Sequence, residues 1–74
     1  MGKIPNISGK DAVKRFIKLG YFVDHQTGSH IILYCHKIGV LPLSIPNHKE
    51  LAAGLLRAQI KRAGITIEDF IDLK

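Results

Sequence analysis

The sequence predicts a small α+β domain in which two main helices cover one face of a three-stranded antiparallel sheet. Apolar residues near the N-terminus repeat at helical spacing, which predicts a first helix. Three runs rich in β-branched, aromatic and aliphatic residues follow and predict three strands, joined by short connections that contain glycine. A second helical repeat comes after them. We therefore predict the order α-β-β-β-α with a short C-terminal helix, and one domain over residues 1–74.

The first predicted helix has recognisable ends. Ser8, with Asp11 three residues later, is typical of a helix N-cap, and Gly20 is typical of a helix end. Between them, one face of the helix is apolar and comprises Ala12, Val13, Phe16, Ile17 and Leu19. The opposite face carries Lys10, Lys14 and Lys18 at intervals of four, which we interpret first as a solvated face.

The three strands are predicted over residues 21–27, 30–36 and 39–45. Gly28 and Ser29 make a tight turn between the first two, and residues 37–39 connect the second to the third, so an antiparallel meander is the simplest topology. Pro42 has no N–H to donate, which puts the third strand at a sheet edge or at a bulge.

Side chains along a strand point alternately to the two faces of a sheet. The more apolar set is the better core, and it comprises Tyr21, Val23, Ile31, Leu33, Cys35, Leu41, Leu43 and Ile45. The other face then carries His30, Ile32, Tyr34 and His36. If the helices cover the first set, His30 lies exposed at the very start of its strand, beside a turn.

The second helix is predicted from an apolar face comprising Leu51, Leu55, Leu56, Ile60 and Ala63. Gly54 is expected to break the chain before the main helix, and Gly64 to end it. Thr66 with Asp69 is expected to cap a last short helix that bears Ile67, Phe70 and Ile71.

The charge of the chain is uneven. Eleven Lys and Arg residues against six Asp and Glu give a net charge of +5. Ten of these bases lie in residues 1–62, whereas three of the six acids lie in the last twelve residues. A basic body attracts a polyanion or an acidic protein, and charge alone does not choose between them.

The cysteine content and the hydropathy of the sequence limit the cellular compartments in which the protein is expected. Cys35 is the only cysteine, so no internal disulfide can form, and no apolar run is long enough to span a bilayer or to act as a signal peptide. These features predict a cytoplasmic protein that does not engage a membrane. Cys35 and His36 are adjacent and point opposite ways along a strand, and no paired-ligand spacing occurs, so no metal site or other cofactor is expected.

Several stretches resemble one known family in their order and spacing. They are GSH at 28–30, the apolar strand after it, IPNHKELAAGLLRAQIKRAGI at 45–65 and IEDF at 67–70. Together they resemble the HicA toxins, small ribonucleases of bacterial and archaeal toxin-antitoxin pairs. The resemblance runs from Ser8 to Phe70. It implies a double-stranded-RNA-binding-like fold, cleavage of mRNA, inhibition by a HicB-like antitoxin, and a catalytic role for His30.

Two features depart from the family pattern. Gln26 and Thr27 stand where the family often has a basic residue near this turn, and the hairpin YCHKIGVLP replaces a more usual acidic-Gly turn. The first removes a candidate phosphate contact, and the second alters the rim near the site. An inactive relative of the HicA toxins therefore stays open as an alternative.

One histidine can supply the proton transfer that begins RNA cleavage. The 2′-hydroxyl beside the scissile phosphate is the nucleophile, so the protein must supply proton transfer and charge stabilisation, with no need for a metal. Imidazole titrates near neutral pH, and a positioned acid or base contributes roughly a hundred- to ten-thousandfold in rate. His30 is the candidate catalytic residue. The candidate RNA-binding residues are Ser29, Tyr34, Lys49, Arg57 and Lys61, with Tyr34 as a platform for a base.

Two other classes of function fit the same features. One is a non-catalytic RNA-binding module in which His30 is incidental, and the other is a protein-interaction domain with no RNA ligand. Phe22, Ile32 and Tyr34 would leave more apolar surface on the open face than a small domain usually exposes. We expect a partner to cover this face, either an antitoxin or a second copy of the chain.

Overall fold

The chain folds as three antiparallel strands with three helices against one face of the sheet. The computed structural model describes residue 4 and residues 6–73, and its elements are α1 (Gly9–Leu19), β1 (Phe22–Thr27), β2 (His30–Tyr34), β3 (Leu43–Pro46), α2 (Ala53–Arg62) and α3 (Ile67–Asp72). The strand order is β1-β2-β3, and both neighbouring pairs are antiparallel. The predicted α+β class and element order are confirmed.

Helix α1 begins and ends where the sequence predicts. The Ser8 hydroxyl accepts a hydrogen bond from the Asp11 backbone N–H over 3.1 Å. Gly20 has a φ of 125°, and its N–H reaches back to the carbonyl oxygens of Phe16 and Ile17. Only glycine takes such a φ readily, so the helix stops there.

The core lies between the helices and the inner faces of β2 and β3. Phe16 is at its centre, with ring centroids 5.9 Å from Tyr21 and 5.1 Å from Phe70. The buried apolar residues are Ala12, Val13, Phe16, Tyr21, Ile31, Leu33, Leu43, Ile45, Leu51, Leu56, Ile60, Ala63 and Phe70. Most of the predicted core is therefore confirmed.

Three residues predicted for the core are on the surface. Ile17 and Val23 are each 47% exposed, and Leu41 is 50% exposed. None of the six residues of β1 is buried, although α1 contacts this strand. Ile17 instead borders a surface groove of α1, together with Lys14, Lys18 and Leu73.

The third strand is shorter than predicted and begins at Leu43. The segment before it is held by the end of α2 rather than by β2. The Leu41 N–H donates to the Arg62 carbonyl oxygen over 3.3 Å, and the Arg62 guanidinium donates to the Pro42 carbonyl oxygen. Pro42 thus precedes an edge strand, in agreement with its missing N–H. The first two strands are also shorter than predicted. β1 does not include residue 21, and β2 does not include residues 35–36.

The prediction that Gly54 interrupts the helical structure before α2 is wrong. Gly54 lies in the first turn of α2. Gly64 follows the helix with a φ of 76°, as expected of a helix end.

Helix α3 has the predicted capping box, since the side chains of Thr66 and Asp69 each accept from the other's backbone N–H. Arg15 of α1 holds the far end of α3. Its Nη1 donates to the Phe70 and Ile71 carbonyl oxygens, and its guanidinium lies 5.3 Å from the centroid of the Phe70 ring. None of the helices in residues 4 and 6–73 is long and apolar enough to cross a membrane.

Candidate active site on the open face of the sheet

A two-residue turn places His30 at the mouth of the β1-β2 hairpin. Gly28 and Ser29 form the turn, and Thr27 pairs with His30 across it. Gly28 has a φ of 58°, while Ser29 has a negative φ, the combination found in a type II′ turn. His30 is therefore the first residue of β2, next to a reversal of the chain.

His30 is exposed and lies on the sheet face that the helices leave open. Along β2, Ile31 and Leu33 are buried, whereas His30 and Tyr34 are exposed and Ile32 is half-buried. The predicted alternation is confirmed, and so is the placement of His30 outside the hydrophobic interior.

A bulge in β1 brings further residues to the same face. Val23 pairs with Leu33, but the next pair is His25 with Ile32, so Asp24 is an extra residue. Because paired residues point to the same side of a sheet, His25 and Thr27 lie on the face of His30. The Nδ1 atom of His25 lies 2.6 Å from Oδ2 of Asp24, so this carboxylate engages His25.

The other side of His30 is bordered by the loop after β3. Pro46 pairs with His30, and the Asn47 N–H donates to the Ser29 carbonyl oxygen over 2.6 Å. The next residue, His48, accepts at its carbonyl oxygen from the Gly9 N–H over 2.8 Å. The loop is thus fixed between the hairpin turn and the start of α1.

Gly9 permits this close approach. A Cβ atom at Gly9 would lie 2.0 Å from the Pro46 carbonyl oxygen, closer than any real contact. Lys49 lies in the fixed loop and Lys10 is the second residue of α1, and both are exposed. Two of the chain's bases are therefore at the end of the sheet that holds His30, and Lys49 is one of the predicted RNA-binding residues.

Arg57 and Lys61, by contrast, project away from the open face. In α2 it is Gln59 that contacts the sheet edge, its Oε1 accepting from the Ser44 N–H over 3.3 Å. Successive helical residues step by about 100°, so Arg57 and Lys61, each two residues from Gln59, point about 160° away from it. Neither residue is placed on the face of His30, and a role in RNA binding stays a prediction for both.

The base that α2 does bring to the sheet edge is Arg62. Its Nε and Nη2 atoms donate to the Pro42 carbonyl oxygen over 3.0 and 2.8 Å. Sequence reasoning overlooked Arg62 and Gln59. Their spacing of three residues marks one side of the helix, but only the fold shows which side meets β3.

Gln59 and Arg62 border a pocket of about 300 Å³ beside β2, which is lined also by Ile32, Pro42, Leu43 and Ser44. Since Ile32 points to the open face, this pocket opens beside the track of outward residues that starts at His30. Its lining combines apolar side chains with the amide of Gln59 and the guanidinium of Arg62.

Three rings lie together at the far end of the same face. Phe22 pairs with Tyr34 across the β1-β2 ladder. The Phe22 ring also stacks on His36, with centroids 5.1 Å apart and planes at 29°. Phe22 is 37% exposed and Tyr34 38% exposed. The prediction that Phe22, Ile32 and Tyr34 share the open face is confirmed.

The arrangement supports proton transfer and anion binding on an open surface. An exposed imidazole at the hairpin mouth is flanked by a loop that carries Lys49, by a pocket with a guanidinium and by a group of rings. Within the part of the chain that the structure describes, no three His, Cys, Asp or Glu side chains are close enough to hold a metal ion.

Comparison with known proteins identifies a family. The family model for the HicA toxin of bacterial toxin-antitoxin systems matches residues 9–65, which is most of the 74-residue chain. A search of curated proteins and a search of solved structures found no significant match. The matched segment contains His30, Lys49 and the whole of the sheet.

Proposed function

Because the chain belongs to the HicA toxin family, we propose that it is the toxin of a toxin-antitoxin pair and an endoribonuclease that cleaves mRNA, with His30 as general acid or base. The observation that carries this proposal is the exposure of His30 at the mouth of the hairpin, on the face that the helices leave open. A substrate the size of an RNA strand can reach an imidazole in that position. An mRNA substrate would place the protein in the cytoplasm.

The reaction uses the nucleophile that RNA itself carries. The 2′-oxygen attacks the adjacent phosphorus, the bond from phosphorus to the 5′-oxygen breaks, and a 2′,3′-cyclic phosphate and a free 5′-hydroxyl result. The proton leaves the 2′-hydroxyl for a base, and the leaving 5′-oxygen takes a proton from an acid. Imidazole can fill either role near neutral pH.

Charge that develops on the phosphate in the transition state needs cations or N–H donors nearby. Lys49 is the predicted contact that the fold supports best, because its loop is bonded to the turn that precedes His30. Ser29, in that turn, is the nearest hydroxyl along the chain. Arg57 and Lys61 would contact only a strand that extends around α2.

A HicB-like antitoxin is the proposed protein partner. Its docking surface would be the open face, where Phe22 and Tyr34 are exposed beside Ile32. Covering that face would also cover His30, so one contact would inhibit the enzyme. A second copy of the chain is the rival occupant, and sedimentation of the isolated protein distinguishes the two.

The test is cleavage of a defined RNA by chelator-treated protein. We expect the native chain to cut it and to leave a cyclic phosphate, and we expect His30→Ala to leave the RNA intact while still binding it. His48→Ala, which removes an exposed imidazole from the neighbouring loop, is the matched control and should cut at the native rate.

Two results would contradict the proposal. If native protein leaves the RNA intact but binds it, the chain is a non-catalytic RNA-binding module or an inactive relative. If His30→Ala cuts as fast as the native chain, the catalytic group is another residue.

A further inference from the structure

We propose that Phe22, Tyr34 and His36 form a stacking platform for unpaired RNA bases, which makes the protein selective for single-stranded RNA. This inference deepens the proposed function, because it names the class of RNA that would reach His30. The three residues are referred to below as the ring platform.

The first support is the geometry of the rings themselves. Phe22 is placed between two partners, with Tyr34 opposite it in the ladder and the His36 ring stacked at 5.1 Å. Exposed apolar side chains that lie together, rather than singly, are typical of an interaction site. More than a third of Phe22 and of Tyr34 remains accessible, so ring surface is available to a flat ligand.

The second support is the position of the platform relative to His30. Tyr34 is four residues along β2 from His30 and points to the same face, a separation of about 13 Å at 3.3 Å per residue. A strand of a few nucleotides spans that distance. A phosphate at His30 and a base at Tyr34 can therefore belong to one RNA molecule.

The third support is what lies between these two ends. Ile32 is midway along the same track and lines the 300 Å³ pocket. Two bonds to the Pro42 carbonyl oxygen hold the Arg62 guanidinium at the rim of this pocket. The N–H groups that these bonds leave over, on Nη1 and Nη2, can donate to a phosphate that passes over Ile32.

These features select for unpaired RNA. A base can stack on a protein ring only if it is released from its neighbours, which happens in single strands, loops and bulges. In a duplex, the bases stack on one another and the backbone keeps them away from a flat sheet. Aromatic stacking also tolerates any base, because every base presents a π-face.

The experiment measures binding separately from cleavage. The His30→Ala protein, which should not cut, is titrated into a labelled oligoadenylate and, in parallel, into a labelled RNA duplex, with anisotropy as the readout. Phe22→Leu and Tyr34→Leu are introduced singly into this background. Phe22→Tyr and Tyr34→Phe keep a ring at each position, and Ile17→Ala removes exposed apolar surface from α1 as a control.

We expect each leucine variant to raise the Kd for the single strand about fivefold to hundredfold, the effect of losing one stacked base. The ring-keeping variants and Ile17→Ala should bind like the parent. The duplex should bind more weakly than the single strand. Replacing one nucleotide of the oligomer by an abasic unit should weaken binding to the parent protein in the same range, which tests the platform without altering the fold.

The inference is overturned if the leucine variants bind like the parent, if the ring-keeping variants lose as much as the leucine variants, or if the duplex binds as tightly as the single strand. Those results would leave the rings as an interface for a protein. Failure of the native chain to cut RNA would remove only the catalytic proposal, since the platform is measured in a protein that does not cut.

Discussion

The position of His30 could be predicted from the sequence, whereas the position of Arg62 could not. The face on which His30 lies follows from alternation along one strand, so it could be predicted from the sequence. The placement of Arg62 depends on which side of α2 meets β3, which residues far apart in the chain decide. Helical periodicity groups Arg57 with Lys61, but it does not say whether that group faces the site.

The pKa of Tyr21 is displaced from its ordinary value. Burial raises the pKa of Tyr21 above its ordinary value, the neighbouring Cys35 adds to the rise, and Arg62 opposes it. Its neutral hydroxyl donates to the Leu41 carbonyl oxygen over 2.8 Å. Folding therefore favours the protonated phenol.

The pH dependence of stability follows from the sign of that shift. The contribution of Tyr21 is fully present below the pKa of an unfolded tyrosine, about 10, and is lost as the pH rises through the higher folded value. We expect the free energy of unfolding of the native chain to fall above about pH 10 more steeply than that of Tyr21→Phe. Urea titrations of both proteins from neutral to alkaline pH measure the difference, and parallel curves would contradict it.

At the scale of elements, helix ends are predicted better than strand ends. Ser8, Gly20 and Thr66 carry local signals, and each cap is found where it was expected. The start of β3 is set by bonds between Leu41 and Arg62, which are distant in sequence, so the local β-propensity of residues 39–42 was misleading. The exposure of β1 likewise depends on how far the helices extend over the sheet.

Substitution by alanine should change the stability of the chain in opposite directions at Gly28 and at Gly54. Gly28 has a φ of 58°, so Gly28→Ala forces a side chain into a disfavoured conformation and should destabilise the hairpin by about 1–2 kcal/mol. Gly54 lies in the first turn of α2, and a Cβ there meets nothing within 4 Å. Gly54→Ala should stabilise the chain by about 0.5 kcal/mol.

Thermal unfolding followed by circular dichroism checks both signs. The two variants control for each other, because each adds one methyl group at an exposed glycine. A rise in Tm for Gly28→Ala would show that the turn differs from the one described.

At the scale of the whole molecule, the net charge of +5 and the open face would act together on the proposed RNA ligand. Affinity that comes from Lys and Arg falls as salt releases bound counterions, with a slope of about −0.7 in log K against log salt for each phosphate neutralised in a single strand. Affinity that comes from stacking lacks this dependence. The two sources can therefore be separated by one series of measurements.

We expect Arg62→Gln to make the salt slope for oligoadenylate shallower by about 0.7, the loss of one phosphate contact. Arg57→Gln removes the same charge from the opposite flank of α2, which an oligoadenylate too short to extend around α2 does not reach, so the slope for such an oligomer should be unchanged. Binding measured in the His30→Ala background at several salt concentrations gives both slopes. Equal changes in the two variants would show that net charge, and not the position of Arg62, governs binding.

The bulge at Asp24 also bears on how the free protein stays in solution. β1 is a terminal strand, and a terminal strand offers a row of backbone donors and acceptors to any other chain, which is a route to aggregation. Asp24 interrupts that row with an extra residue and an acidic side chain, while the Gln59 amide oxygen accepts from the Ser44 N–H at the opposite border. If an antitoxin covers the open face as proposed, its release would uncover the rings and the imidazole without offering a regular strand edge for polymerisation.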